Sequence, residues 1–395
     1  MSASTSSSEY DFDRPVDRRG TASLKWDFDE RLTGVRHLLP LWIADMDFTA
    51  PTEVIQALSR RVEHGVFGYT LEPESYYQAI IDWMKRRHDW EIRRGWMISC
   101  PGVVPSISLA LRAYSSPGDR VIIQPPVYYP FREAILNNGR RVAENPLQLR
   151  GGRYRMDFDQ LAELIDNRTR MLILCSPHNP VGRVWSRVEL EKLVDICAHH
   201  DLVIVSDEIH HDLVMKGFRH LPTAGLSEQA GRITITLTAA TKTFNLAGLG
   251  CSMAVISNPR LRRRFKTAWK SQWTGAANAL SAAATEAAYR YGERWLEQVL
   301  AYIRQNYDFL VRFLGRQVPQ ARVTPLEGTY LAWVDLRALG LSAETLKERI
   351  LKDGRVWLDE GPKFGTGGEG FQRLNLACPR STLAEALERI AAALG

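Results

Sequence analysis

Three polar side chains stand where short apolar runs end: Asn179 in "SPHNPVG" after "MLILCS", Asp207 closing "LVIVSD", and Lys242 in "TLTAATKTFNLAG" after "ITITL". Lysine is ordinarily a solvated surface residue, so an ammonium among small and apolar neighbours calls for a reason. A core gains little from groups of this kind, because buried charges must be paired. Singly, Asp207 reads as a strand-end cap and Asn179 as an Asn-Pro turn. A polar ligand that meets all three explains them together.

The elements that would position them are legible. Residues 120–124 ("RVIIQ"), 171–176, 202–208 and 233–237 are short, almost wholly apolar runs of the kind found in a parallel sheet covered on both faces. Between the second and third, Ser186 and Glu189 have capping-box spacing, and Leu190, Leu193, Val194 and Cys197 follow at i, i+3, i+4, i+7. Strand, helix and strand make a βαβ unit. In open α/β sheets the ligand sits beyond the carboxyl ends of the strands, where these three residues fall. The Ala-rich "NALSAAATEAAYRYG" predicts a long helix, and "RVTPLEGTYLAWVDL" opens a second α/β set. The expected division is an N-terminal arm with a small-domain segment over 1–50, a large ligand-binding domain over 51–284 and a small domain over 285–395. Residues 1–20, polar and Ser-rich at the start, are expected to form a mobile arm.

Composition excludes several classes. The 395 residues are 45% hydrophobic and 24% charged, as in ordinary soluble globular chains, and long enough for a domain pair. A net charge of +6 (51 − 45) calls for no nucleic acid, and the basic run "RLRRRFKTAWK" at 260–270 reads as the wet face of a helix. The five scattered cysteines form neither a CxxC pair nor a disulfide framework. With no signal-peptide pattern and no apolar span of ~18 residues, a cytoplasmic protein without membrane contact is expected. The doublets His199-His200 and His210-His211 lack further ligands at metal spacing, so no metal is expected. "GTGGEG" at 365–370 satisfies GxGxxG but leads into the strand-like "FQRLNLA", which fails the dinucleotide context and suggests a flexible loop near the substrate.

Pyridoxal 5'-phosphate requires the set found at the strand ends: a lysine for a Schiff base, a carboxylate for the pyridine nitrogen, a donor for the ring hydroxyl and amides for the phosphate. The chain resembles the aminotransferase-like, fold type I pyridoxal-phosphate enzymes, and within them the cystathionine β-lyase branch. The resemblance lies in "LWIADMDF", "HGVFGYT", "PGVVPSIS", "QPPVYYPF", "SPHNPVGRVW", "SDEIHHDL", "ATKTFNLAGL", "LEGTYLAWVDL" and "FQRLNLACPRS", which span residues 41–381 in the family order. It implies an α/β aspartate-aminotransferase-like fold with a mostly parallel central sheet and a smaller C-terminal α/β domain.

By the same resemblance, Lys242 is the Schiff-base lysine, Asp207 pairs with the pyridine nitrogen, Asn179 donates to the ring hydroxyl and Tyr128 stacks on the ring. The amides of Gly102, Val103 and Val104 at a helix start, with the Thr241 hydroxyl, hold the phosphate. Tyr69 reaches the phosphate of a neighbouring subunit, which implies a homodimer with shared active sites. Arg373 grips the substrate carboxylate, with Asn179 and Tyr128 also on the substrate side. Core packing for the two tyrosines and a surface salt bridge for Arg373 are the plainer readings. Two departures from the wider aminotransferase pattern, His210 and Gly250, favour the lyase branch, with His210 at the cofactor. The expected reaction is α,β-elimination from an S-substituted cysteine, giving thiol, pyruvate and ammonia. The alternatives are an aminotransferase or related deaminating enzyme acting on a specialised-metabolite cysteine conjugate, and a regulatory scaffold without catalysis.

Overall fold

The computed structural model describes residues 10–272 and 278–395. Seven strands form the central sheet: β1 (Met97–Cys100), β2 (Arg120–Ile123), β3 (Arg141–Glu144), β4 (Thr169–Cys175), β5 (Val203–Asp207), β6 (Thr234–Thr238) and β7 (Ser252–Val255). Their order is β1-β7-β6-β5-β4-β2-β3, with every neighbouring pair parallel except those made by β7. The apolar runs are continuous because both faces are buried: Val121, Ile123 and Ile173 enter one core, Ile122, Leu172 and Leu174 the other. The predicted strands thus match the observed ones to within two residues at each end.

Helices α1 (Thr52–Glu63), α2 (Glu74–His88), α3 (Val103–Tyr114), α4 (Arg187–His199), α5 (Pro259–Ser271), α6 (Ala279–Tyr291), α7 (Glu293–Gln317) and α8 (Arg380–Leu394) carry most of the packing. The capping box of α4 is formed in full, and Leu190, Leu193, Val194 and Cys197 are its buried stripe. On α5 only Phe265 is buried, so the basic run is a solvated helix face. A second sheet, antiparallel, holds β8 (Arg322–Val323), β9 (Leu331–Asp335), β10 (Asp359–Glu360) and β11 (Phe371–Asn375) in the order β8-β9-β11-β10. Residue 285 lies within α6, and Gly292 separates that helix from α7.

Two expectations are corrected. Residues 1–9 lie outside the described residues, but the arm from Tyr10 onward is packed down: Phe12 is buried against Phe48, Trp295 and Tyr302. Arg18 and the fully buried Lys25 both pair with Asp45 and Asp47. Phe12 and these cations, set in a polar run, supply the apolar area and paired charge that anchor it. The glycine run before β11 is also close-packed at its centre, since a Cβ on Gly368 would come within 2.0 Å of the Gly361 carbonyl oxygen. Glycine serves here as a backbone contact.

A short parallel pairing of Leu39–Pro40 with Val356–Trp357 draws the N-terminal segment against the second sheet. From there residues 42–47 run between the two sheets. The Asn375 amide donates to the carbonyls of Ile43 and Asp45, and Asn245 exchanges hydrogen bonds with Met46. Among the described residues no helix is long and apolar enough to cross a membrane.

Candidate active site

The carboxyl ends of β4, β5 and β6 open onto a cavity of about 220 Å³ lined by Tyr128, Asn179, Asp207, His210, Lys242 and Arg373, among others. Register places Asp207 between Cys175 and Leu237, so the β5 carboxylate and the β6-proximal lysine turn arrive side by side. The fold thereby gathers residues 63 positions apart in sequence, from Asn179 to Lys242, at one rim of the sheet. A groove of about 560 Å³ between α1 and α6 is larger, but it lies on the surface and holds none of these groups.

Lys242 sits on a single turn, Ala240–Thr243, that begins two residues after β6. Its ammonium donates to the Ala44 carbonyl at 2.5 Å, an oxygen that also accepts from the Tyr330 hydroxyl at 2.8 Å. Lys242 is half-buried and lines the cavity. Burial lowers its pKa to about 8, Arg373 adds to the fall, and Asp45 and Asp207 oppose it. The Asp207 carboxyl moves the other way: burial raises it to about 7, against the Ile209 amide that donates to it at 3.1 Å. His210 is buried, edge-on to Tyr330, and burial followed by the charges of Lys242 and Arg373 keeps it neutral.

Arg373 on β11 is only 2% exposed, so the surface salt-bridge reading does not hold. Its guanidinium donates to Asn179 Oδ1 at 3.0 Å, to the Trp42 carbonyl at 2.6 Å and to Asp359 of β10 at 2.6 Å. The guanidinium carbon stands 4.9 Å from the centre of the Phe364 ring. Its Nε has no partner among the described residues. The sequence gives no sign of Asp359, because the pair forms across strands through the register Asp359↔Arg373. Nor do the Ala44 and Trp42 carbonyls show in sequence, since backbone groups carry no residue-type signal.

The remaining expected residues divide. Val103 and Val104 line the cavity at the start of α3, where Gly102 is the cap and offers no side chain to the first-turn amides. Those amides are left for an anion. Tyr128 lines the wall, its phenol pKa raised by burial. Thr241 is buried on the lysine turn but is not among the residues lining the cavity. Tyr69 is wholly exposed on the surface, at 113%, in a segment where Val66, Phe67 and Leu71 are exposed as well. His211, the second histidine of its doublet, points elsewhere and meets His88 and Asp212, a buried trio with atoms within 4.8 Å of one another.

The residues present fit pyridoxal phosphate. A lysine amine with a lowered pKa, a buried carboxyl that accepts from the Ile209 amide and a helix N-terminus without a side-chain cap converge on one cavity. The family model for aminotransferase class I and II matches residues 36–390. The chain is 43% identical to cystathionine β-lyase PatB of Bacillus subtilis, covering 97% of this chain and 99% of that protein. Cystalysin from Treponema denticola, whose crystal structure contains pyridoxal 5'-phosphate, superposes with a TM-score of 0.95 at 40% identity, over 98% of this chain and 99% of that one. The PLP-bound C-S lyase of Staphylococcus hominis superposes at 0.92 with 33% identity, over 98% of both chains. The chain belongs to the aminotransferase class I and II family, with the α/β fold of the pyridoxal-phosphate enzymes and pyridoxal 5'-phosphate as its cofactor.

Proposed function

We propose that the protein is a cysteine-S-conjugate β-lyase that cleaves the Cβ–S bond of an S-substituted cysteine and releases a thiol, pyruvate and ammonia. The observation that carries the chemistry is the Lys242 amine, enclosed in one cavity with Asp207 and Arg373 and brought to a pKa of about 8. The choice of elimination over transamination rests on likeness to PatB and to the Staphylococcus hominis lyase.

Pyridoxal phosphate, when bound, supplies an electron sink for the carbanion formed at the substrate Cα. Lys242 would hold the cofactor, and its amine, with a pKa brought to about 8, would serve as the base that accepts the Cα proton near neutral pH. Asp207 would keep the cofactor's ring nitrogen protonated, and Tyr128 would cover the ring face. Asn179 serves the ring hydroxyl while holding Arg373, with neutral His210 beside it. The amides of Gly102, Val103 and Val104 would take the phosphate, and the Thr241 hydroxyl, outside the cavity lining in this structure, would have to turn toward it. Arg373 receives the substrate carboxylate.

Tyr69 completes the phosphate site of a second copy of the chain in a homodimer. The exposed apolar run Val66, Phe67 and Leu71 beside it supports that reading. The division into segments 1–50, 51–284 and 285–395 and a cytoplasmic location belong to the same proposal. The test is to supply L-cystathionine or another S-substituted L-cysteine and measure pyruvate and thiol. Stoichiometric release of both is expected; keto-acid-dependent transamination without thiol release would overturn the lyase reading.

A further inference from the structure

Next to the catalytic lysine, but outside the cavity lining, lies a cluster of buried titratable groups that the proposed reaction does not use. The side chain of Asp212 is fully buried. Its Oδ1 accepts from Trp83 Nε1 at 3.0 Å and His88 Nε2 at 2.8 Å, both from α2. Its Oδ2 accepts from the Thr243 hydroxyl at 2.9 Å, and His211 Nε2 stands 3.0 Å away. The other ring nitrogen of His211 lies 2.6 Å from the Glu208 carbonyl oxygen and 2.7 Å from the Thr238 hydroxyl. A carbonyl only accepts, so Nδ1 carries a proton, which it donates to the Glu208 carbonyl and shares with the Thr238 hydroxyl oxygen.

The placement of the two threonines gives the cluster its meaning. Thr238 ends β6 and Thr243 ends the lysine turn, so the four residues between them, Lys242 included, are held at both ends by one His-Asp pair. A single helical turn cannot support itself, and its orientation must come from tertiary contacts. Asp212 supplies one that is charged, buried and linked through α2 to the core.

The charge is internally balanced. Burial alone would raise the Asp212 carboxyl, yet His211 and His88 hold it well below its ordinary value. Burial alone would lower His211, yet Asp212 leaves it raised, while His88, chiefly through burial, falls to about 4. The carboxylate thus stands between His211, whose pKa it raises, and His88, with Arg87 at 3.6 Å on the rim and the Glu208–His220 pair behind. The trio has the residue types of a metal site. Each carboxylate oxygen already faces two nitrogen or hydroxyl groups, however, and an ion would have to displace them.

We propose that Asp212 and His211 are positioning residues for the catalytic lysine, clamping Thr243 and Thr238 so that the Lys242 amine meets the cofactor from a fixed direction. This rests on the reading of Lys242 as the cofactor-bearing residue, and it holds whichever reaction follows.

The test uses the cofactor-loaded protein and the variants Thr243→Val, Thr243→Ser and Asp212→Asn. The absorbance of the resting, lysine-linked cofactor is titrated against pH, which needs no substrate, and kcat and KM are measured separately. Thr243→Val keeps the shape and removes the hydroxyl. It should move the titration midpoint by about half a unit and lower kcat about tenfold with KM little changed. Thr243→Ser should restore both, and Asp212→Asn should exceed the valine variant in both. A valine variant with the parent's titration and kcat, differing only in the melting temperature of the apoprotein, would overturn the proposal. So would a stoichiometric metal ion in the purified protein. Should Asp212→Asn fail to fold, the valine and serine pair decides.

Discussion

The two walls of the cavity handle charge in opposite ways. On the central-sheet wall, Lys242 and Asp207 are both displaced from their ordinary pKa values by burial, to about 8 and about 7. On the wall formed by the second sheet, Arg373 is already neutralised by Asp359 and held by Asn179 and the Trp42 carbonyl. The first wall is left in need of a charged partner, which is how a cofactor site reads before it is filled. The second is a prebuilt clamp, its guanidinium already fixed by three partners, which under the proposed function would receive a substrate carboxylate. Under the proposed function the first wall would do chemistry and the second positioning, and variants on each should fail differently.

The largest effect is expected on the first wall. Lys242→Ala removes both the covalent anchor and the proton acceptor, so turnover of S-substituted cysteines should fall by a factor of ~10³ or more. Pyruvate release measures it, and turnover within tenfold of the parent would move the chemistry elsewhere. On the second wall, Asp359→Asn leaves a buried guanidinium without its counter-charge, a change worth about 3–5 kcal/mol. Thermal unfolding should show that loss, and small carboxylates should restore part of it by taking the place of Asp359. A loss that no carboxylate relieves would mean that Arg373 is structural only.

Asp207 offers a finer contrast. Its pKa is raised in the folded chain, so the fold binds a proton there that the unfolded chain has already lost. The apoprotein should therefore lose stability as pH rises from about 4 toward 7. Asp207→Asn should lack that loss, and melting curves of the two that stay parallel across this range would contradict the assignment. The smallest effect is expected away from both walls. Ser186→Ala breaks the α4 capping box, at a cost of about 1 kcal/mol, and should leave kcat and KM unchanged.

How far the sequence foretold these walls follows from the type of contact each uses. Asn179, Asp207 and Lys242 could be read because strand-end position is a local property and their side chains differ sharply from the apolar runs before them. The α4 capping box was readable for the same reason. The clamp was only half visible. Arg373 could be singled out, but Asp359 meets it through cross-strand register, and the Ala44 oxygen that holds Lys242 lies 198 residues away in sequence. The anchored N-terminal segment was missed because Phe12 and Lys25 acquire their meaning only from residues 47–48 and 295–302. Asp212 hid in plain view within "SDEIHHDL", where nothing in the spacing shows that it turns back toward Thr243.

The account stands or falls on which lysine carries the cofactor. Reduction of the loaded protein with borohydride, digestion and mass analysis of the peptides would fix the attachment point. The account predicts a single reduced pyridoxyl adduct, on Lys242; an adduct on any other lysine, or none after reconstitution with pyridoxal phosphate, would contradict it.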